Sequence, residues 1–147
     1  MPIGLEPFLP KEDGVIFVVE GDEVIRSALH FILDDQHQTH SFASLNLALA
    51  KAADVTPDLV LLGIDFLRDN GERTLAKFVR RLRGAKIMIV ANSINDPLAR
   101  KGLKWGAHDV LGKPITFDSV HRRVDTLLGR ESISPALLGL LPPSAAW

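Results

Sequence analysis

The chain has 147 residues, of which 46% are hydrophobic and 24% charged, and its formal net charge is −1. These values are typical of one globular domain, and the near-zero charge gives no bulk attraction to nucleic acid or anionic membranes. The absence of cysteine excludes disulfides, thiol catalysis and thiolate metal sites. No apolar stretch is long enough to span a membrane and no signal peptide is evident, so we expect a cytoplasmic protein without nucleic-acid or membrane partners.

The N-terminal part of the chain predicts an extended lead-in, a strand and a helix. Residues 1–13 show no hydrophobic period, and a buried strand follows over Val15–Val19. Asp22 can cap a helix that ends near Asp34. Its predicted buried stripe is Ile25, Ala28, Leu29 and Ile32.

A short strand near Thr39–Phe42 and a helix over 45–53, capped by Ser44, come next. The strand Leu59–Gly63 then contains four consecutive large apolar residues, which indicates burial on both faces and a central place in a parallel sheet.

The second half of the chain continues the alternation of helices and strands. A helix ending near Arg83 precedes a buried strand over 87–90, and Asp96-Pro97 begins a helix that ends at Gly106. A short strand over 109–111 leads to a last helix, which Thr116 can cap. The predicted inward residues are Leu75, Phe78, Val79 and Leu82 in the first of these helices, and Phe117, Val120, Val124 and Leu127 in the last.

Five strands alternating with five helices predict a doubly wound parallel α/β domain over residues 14–128. Residues 129–147 form an apolar tail in which Ser134-Pro135 can begin a short helix. Such a helix would pack on its own domain or contact a partner.

Three motifs occur in this order and make the chain resemble the receiver domain of bacterial two-component response regulators, which has a flavodoxin-like fold. They are an acidic cluster at Glu20-Gly21-Asp22 after the first strand, the central strand after Pro57-Asp58, and Gly106-Ala107 followed by Lys113-Pro114.

The resemblance implies that the phosphoacceptor aspartate of the family corresponds to Gly63 here. A glycine has no carboxylate that could attack phosphorus, so the chain resembles a degenerate or pseudo-receiver. The serine or threonine that senses the phosphoryl group corresponds to Ala91, and the aromatic switch residue corresponds to Val110. One of the usual two acids is Gly21.

The resemblance implies that Lys113 corresponds to the family's lysine that pairs with the phosphoryl group or the acceptor acid. Because that partner is missing here, we expect Lys113 to pair with Glu20 or Asp22. We expect no cofactor, although Glu20, Asp22 and Asp65 are weak candidates for a magnesium site. Asp65 is also the candidate for an atypical phosphoacceptor, but it lies two residues beyond the strand end.

The resemblance favours a phosphorylation-independent protein-interaction module without enzyme activity. The module would act either alone or as a dimer. Its partner would be a histidine kinase, another regulator or a second copy, docked on the fourth helix, fifth strand and fifth helix. The candidate contact residues are Lys101, Lys104, Trp105, Val110 and Arg122.

The alternative is a receiver switched by a phosphate-bearing small molecule such as a cyclic dinucleotide. Its candidate residues are cations predicted on one helical face, which otherwise form a solvated surface: Arg73, Lys77, Arg80 and Arg81.

Overall fold

The computed structural model describes residues 14–129, so the predicted lead-in and nearly all of the predicted tail lie outside the described residues. Its elements follow the predicted order. They are β1 (Val15–Val19), α1 (Glu23–Asp34), β2 (Gln38–Phe42), α2 (Leu45–Lys51), β3 (Leu59–Gly63), α3 (Gly71–Arg81), β4 (Lys86–Val90), α4 (Pro97–Lys104), β5 (Asp109–Leu111) and α5 (Phe117–Leu127), with a short 3-10 helix (Ile64–Leu67) after β3.

All five strands pair in parallel, in the order β2-β1-β3-β4-β5. This arrangement confirms the predicted doubly wound α/β fold. β3 lies at the centre, where Leu62 is in register with Val19 of β1 and Ile89 of β4. Every residue of β3 is buried, which explains why its sequence is apolar without alternation.

The side chains of the strands alternate between two cores. Leu59 and Leu61 of β3 face α1 and α5, whereas Val60 and Leu62 face α2, α3 and α4. Within residues 14–129, no helix is long and apolar enough to cross a membrane.

Side-chain caps fix the start of four helices at the predicted residues. The carboxylates of Asp22 and Asp96 each accept two backbone N–H groups of the first turn, and the hydroxyl of Ser44 accepts one. Thr116 and Ser119 form a reciprocal capping box at α5. The helices therefore begin where short polar side chains satisfy otherwise unpaired N–H groups.

Three residues assigned to buried stripes are exposed instead. Val79 and Phe117 are each 47% exposed, and Ala28 is also on the surface. Two helices are also shorter than predicted: α2 ends at Lys51 instead of residue 53, and α3 ends at Arg81 instead of near Arg83. The predicted stripes were too wide, since the large apolar residues buried within α3 are Leu75 and Phe78, and those buried within α5 are Val120 and Val124.

Candidate functional site

The carboxyl ends of β1, β3, β4 and β5 meet at one edge of the sheet, where ligand sites of doubly wound folds lie. A small cavity of about 140 Å³ lies there. The residues around it that matter chemically are Glu20, Asp22, Asp65, Arg68, Ala91 and Lys113. The structure thus brings together the side chains that the sequence places after separate strands.

Glu20 covers the position of Gly63. A methyl group at Gly63 would lie 2.6 Å from Oε1 of Glu20 and 3.0 Å from its carboxyl carbon, both well inside van der Waals contact. Glu20 itself is only 6% exposed. The carboxylate of the residue that follows β1 therefore fills the space above the end of β3 that a side chain of residue 63 would occupy.

The Glu20 carboxyl group is held in place and electrostatically perturbed. Its Oε2 accepts the backbone N–H of Asp22 at 3.0 Å. Burial raises the pKa of Glu20, and the negative charges of Asp22 and Asp65 raise it further, against the hydrogen bond from Asp22 and the charge of Lys113. The protonated form is consequently favoured more than in a free glutamate.

The other two acids of the cluster have partners of their own. Oδ1 of Asp22 accepts the N–H groups of Val24 and Ile25 at 2.9 and 3.0 Å, which confirms its role as a helix cap. Asp65 is exposed and its Oδ1 bonds Nε of Arg68 at 2.8 Å. Asp65 is therefore turned toward an arginine on the rim.

All three candidate magnesium ligands make other contacts in this structure. The ion takes a near-octahedral set of oxygens and is usually bound by one or two carboxylates. Here Glu20 lies against Gly63, Asp22 caps α1, and Asp65 binds Arg68. No group of three potential ligands that could hold a metal occurs within residues 14–129.

Lys113 lines the same cavity and is exposed. Within the described part of the chain it forms no salt bridge within 4.0 Å, so any pairing with Glu20 is an electrostatic attraction across the cavity, which lowers the pKa of Glu20. Ala91 lies directly after β4 and Val110 within β5, both buried. Neither side chain carries a hydrogen-bonding group toward the cavity.

The predicted partner contacts do not form one surface. Val110 is 2% exposed and belongs to the core, so no partner can reach it without a rearrangement. Trp105 is half-buried and turns toward α3, because a methyl group at Gly71 would lie 2.8 Å from its Cζ3. Lys101 lines the same α3–α4 cleft. Lys104 and Arg122 are exposed.

The cations of α3 share one helical face, as predicted, but they border different spaces. Arg73 and Arg80 line clefts next to α4, whereas Arg81 lines a space beside α2. Arg123, next to Arg122, donates to both oxygens of Asp109 at 2.9 and 3.0 Å.

Sequence reasoning missed two features of this molecule. It did not place Glu20 over Gly63, although a glutamate one residue beyond one strand and a glycine ending its neighbour are a complementary pair in size. It also missed the exposed Val24 and Phe31 of α1, each 77% exposed. Both are large apolar residues that lie outside the predicted buried stripe of α1. Their position outside the stripe could have predicted their exposure from the sequence.

The strand order, together with the acids at the sheet edge and the lysine after β5, defines a receiver-type signalling domain. Residues 16–125 match the response regulator receiver domain model, which is most of the chain, so the chain belongs to this family. No curated protein matches the sequence.

Similar solved structures support the same fold. A response regulator from Thermotoga maritima is 18% identical with a TM-score of 0.70, covering 78% of this chain and 97% of that one. The receiver domain of NtrX from Brucella abortus is 26% identical with a TM-score of 0.70, covering 78% and 98%. The chain spans only 27% of a longer NtrX structure.

Proposed function

We propose that this receiver domain works in two-component signalling as a phosphorylation-independent protein-interaction module. The observation that carries the proposal is the pairing of Gly63 with Glu20. The position that corresponds to the acceptor has no carboxylate, and a neighbouring strand supplies a buried one that fills the space. Domains of this family are signalling modules that interact with kinases and other proteins, and this role needs no chemistry at Gly63.

The readout positions support the same interpretation. A switch requires contacts that differ between its two states. Ala91 has no hydroxyl with which to hold a phosphoryl oxygen, and Val110 is already buried in the core. Neither residue offers a contact that phosphorylation could create or remove.

We propose a cytoplasmic partner from the same signalling system: a histidine kinase, another regulator or a second copy of the chain. The exposed members of the predicted contact set, Lys104 and Arg122, remain the candidates for docking. Nucleic acid and membranes are not part of the proposal, because the net charge is −1.

The first test is incubation with acetyl phosphate and magnesium, followed by intact-mass measurement. We expect no added phosphoryl group. An added group that disappears in Asp65→Asn but not in Asp22→Asn would instead establish an atypical acceptor, and the proposal would be wrong.

The second test measures self-association by size-exclusion chromatography with light scattering, with and without acetyl phosphate. We expect the same mass distribution in both conditions. If a dimer forms, the single variants Lys104→Glu and Arg122→Glu should each weaken it, while Lys51→Glu on α2 serves as a charge-matched control. A monomer at all concentrations would remove the second copy from the proposed partners.

A further inference from the structure

A groove runs between α3 and α4 on the side of the sheet opposite α1 and α5. It consists of two clefts of about 680 and 560 Å³. Ala76 and Trp105 line both clefts, so the small alanine and the indole face the groove where the clefts meet. Each cleft has the size of an ordinary small-molecule site.

Glycine makes room for the indole at this point. The six-membered ring of Trp105 lies over Gly71 in the first turn of α3, where a methyl group would be 2.8 Å from Cζ3 and 3.5 Å from Cε3. One edge of the ring is thus anchored. The side chain is only half-buried, so part of the ring is available to a ligand.

Cations surround this aromatic ring without acidic partners. Arg73 and Lys101 line the larger cleft, and Arg80 and Lys86 the smaller one. Within residues 14–129, none of these four lies within 4.0 Å of a carboxylate. Glu72 is the acid that lines the larger cleft, and Arg68 on its rim already binds Asp65. A chain of net charge −1 therefore concentrates unpaired positive charge in one groove.

We infer that the α3–α4 groove binds a nucleotide, with the base stacked on Trp105 and the phosphates held by Arg73 and Lys101. Aromatic side chains stack on every base, and guanidinium and ammonium groups form charge-assisted hydrogen bonds to phosphate oxygens. A compact groove that joins an aromatic ring to unpaired cations suits this chemistry. An acidic peptide would use the cations but not the ring.

The test uses a Trp147→Phe background, which leaves Trp105 as the single tryptophan. ATP and GTP are titrated while indole fluorescence is recorded, with pyrophosphate and hexaglutamate as probes that lack a base. We expect saturable quenching by at least one nucleotide and none by the two probes. Quenching by neither nucleotide, or equal competition by hexaglutamate, would overturn the inference.

Variants then assign the residues by calorimetric titration of the quenching nucleotide. Arg73→Gln and Lys101→Gln should each weaken binding about tenfold, since each removes a charge-assisted hydrogen bond. Lys77→Gln is the matched control, because Lys77 is an exposed cation of the same helix that lines neither cleft. Trp105→Phe should keep binding that Trp105→Leu loses. Equal weakening in the control would reduce the effect to non-specific charge and refute the site.

Discussion

Two spaces beside the sheet differ in size, charge and openness. The cavity at the carboxyl edge has about 140 Å³ and is lined by three acids, one of which covers Gly63, together with Arg68 and Lys113. The α3–α4 groove has two clefts of about 680 and 560 Å³ and is lined by unpaired cations around an indole. The cavity at the edge where ligands of this fold usually bind is therefore much smaller than the two clefts between α3 and α4.

The contrast also concerns glycines. Gly63 is covered by a carboxylate that would have to shift if a side chain were added. Gly71 is covered by an aromatic ring that packs on it. A substitution at Gly63 therefore tests electrostatics at a buried edge, whereas a substitution at Trp105 tests packing between two helices.

The largest effect is expected from Trp105→Ala. A fully buried tryptophan costs about 3 to 5 kcal/mol on truncation, and we expect about 2 to 3 kcal/mol here because the side chain is half-buried. Urea unfolding gives the free energy, with Trp105→Phe as the milder control. An unchanged unfolding midpoint would show that the indole contributes nothing to α3–α4 packing.

Gly63→Asp should cost about 1 to 3 kcal/mol, because its Cβ overlaps Glu20 and a fourth carboxylate joins Glu20, Asp22 and Asp65 at this edge. Gly63→Ala, which adds the overlap without the charge, should cost less. Removing the Glu20 side chain should relieve both the steric overlap and the charge repulsion. A double-mutant cycle of Gly63→Asp with Glu20→Ala should therefore show a coupling free energy of about 1 kcal/mol or more.

Additive losses of stability in that cycle would mean that Glu20 moves away freely and does not fill the site.

The Gly63→Asp variant can also be treated with acetyl phosphate and followed by its backbone amide spectrum. Gly63→Asp alone should show no spectral change in α4 and β5, since Ala91 and Val110 lack the sensing groups. Amide shifts that spread to these elements would contradict this expectation.

The third prediction concerns the pH dependence of stability. The folded protein raises the pKa of Glu20, so between about pH 4.5 and the folded value it binds more protons than the unfolded chain. Stability from this group is thus largest at low pH and falls as the pH rises through the folded pKa. Glu20→Gln removes this loss and should gain stability relative to the parent as pH increases. A difference that stays constant between about pH 4.5 and 8 would contradict the burial of this carboxyl group.

The smallest effect is expected from Asp65→Asn. Its bond to Arg68 joins two exposed side chains, and such pairs contribute about 0 to 1 kcal/mol. We expect a change below about 0.5 kcal/mol, together with unchanged intact mass after treatment with acetyl phosphate. A larger loss would show that Asp65 belongs to the edge cavity more closely than its exposure indicates.

The sequence by itself determined the order of elements. The run Leu59–Leu62 predicted a central strand because only a strand covered on both faces is apolar at every position. Asp22, Asp96 and Thr116 predicted helix starts because a cap is a local interaction within four residues. The residue types at positions 63, 91 and 113 could likewise be read directly, and with them the absence of a carboxylate at the end of β3.

Tertiary structure alone decided which way side chains point and what covers them. Glu20 and Gly63 are 43 positions apart in sequence, and only the pairing of β1 with β3 brings the carboxyl group over the glycine. The periodicity of α4 did not reveal that Trp105 lies against α3 rather than beside β5, because a helix end can turn toward either neighbour. Val110 was placed on a surface for the same reason: a short strand is buried or exposed according to the helices that pack on it, and their positions follow from the whole fold.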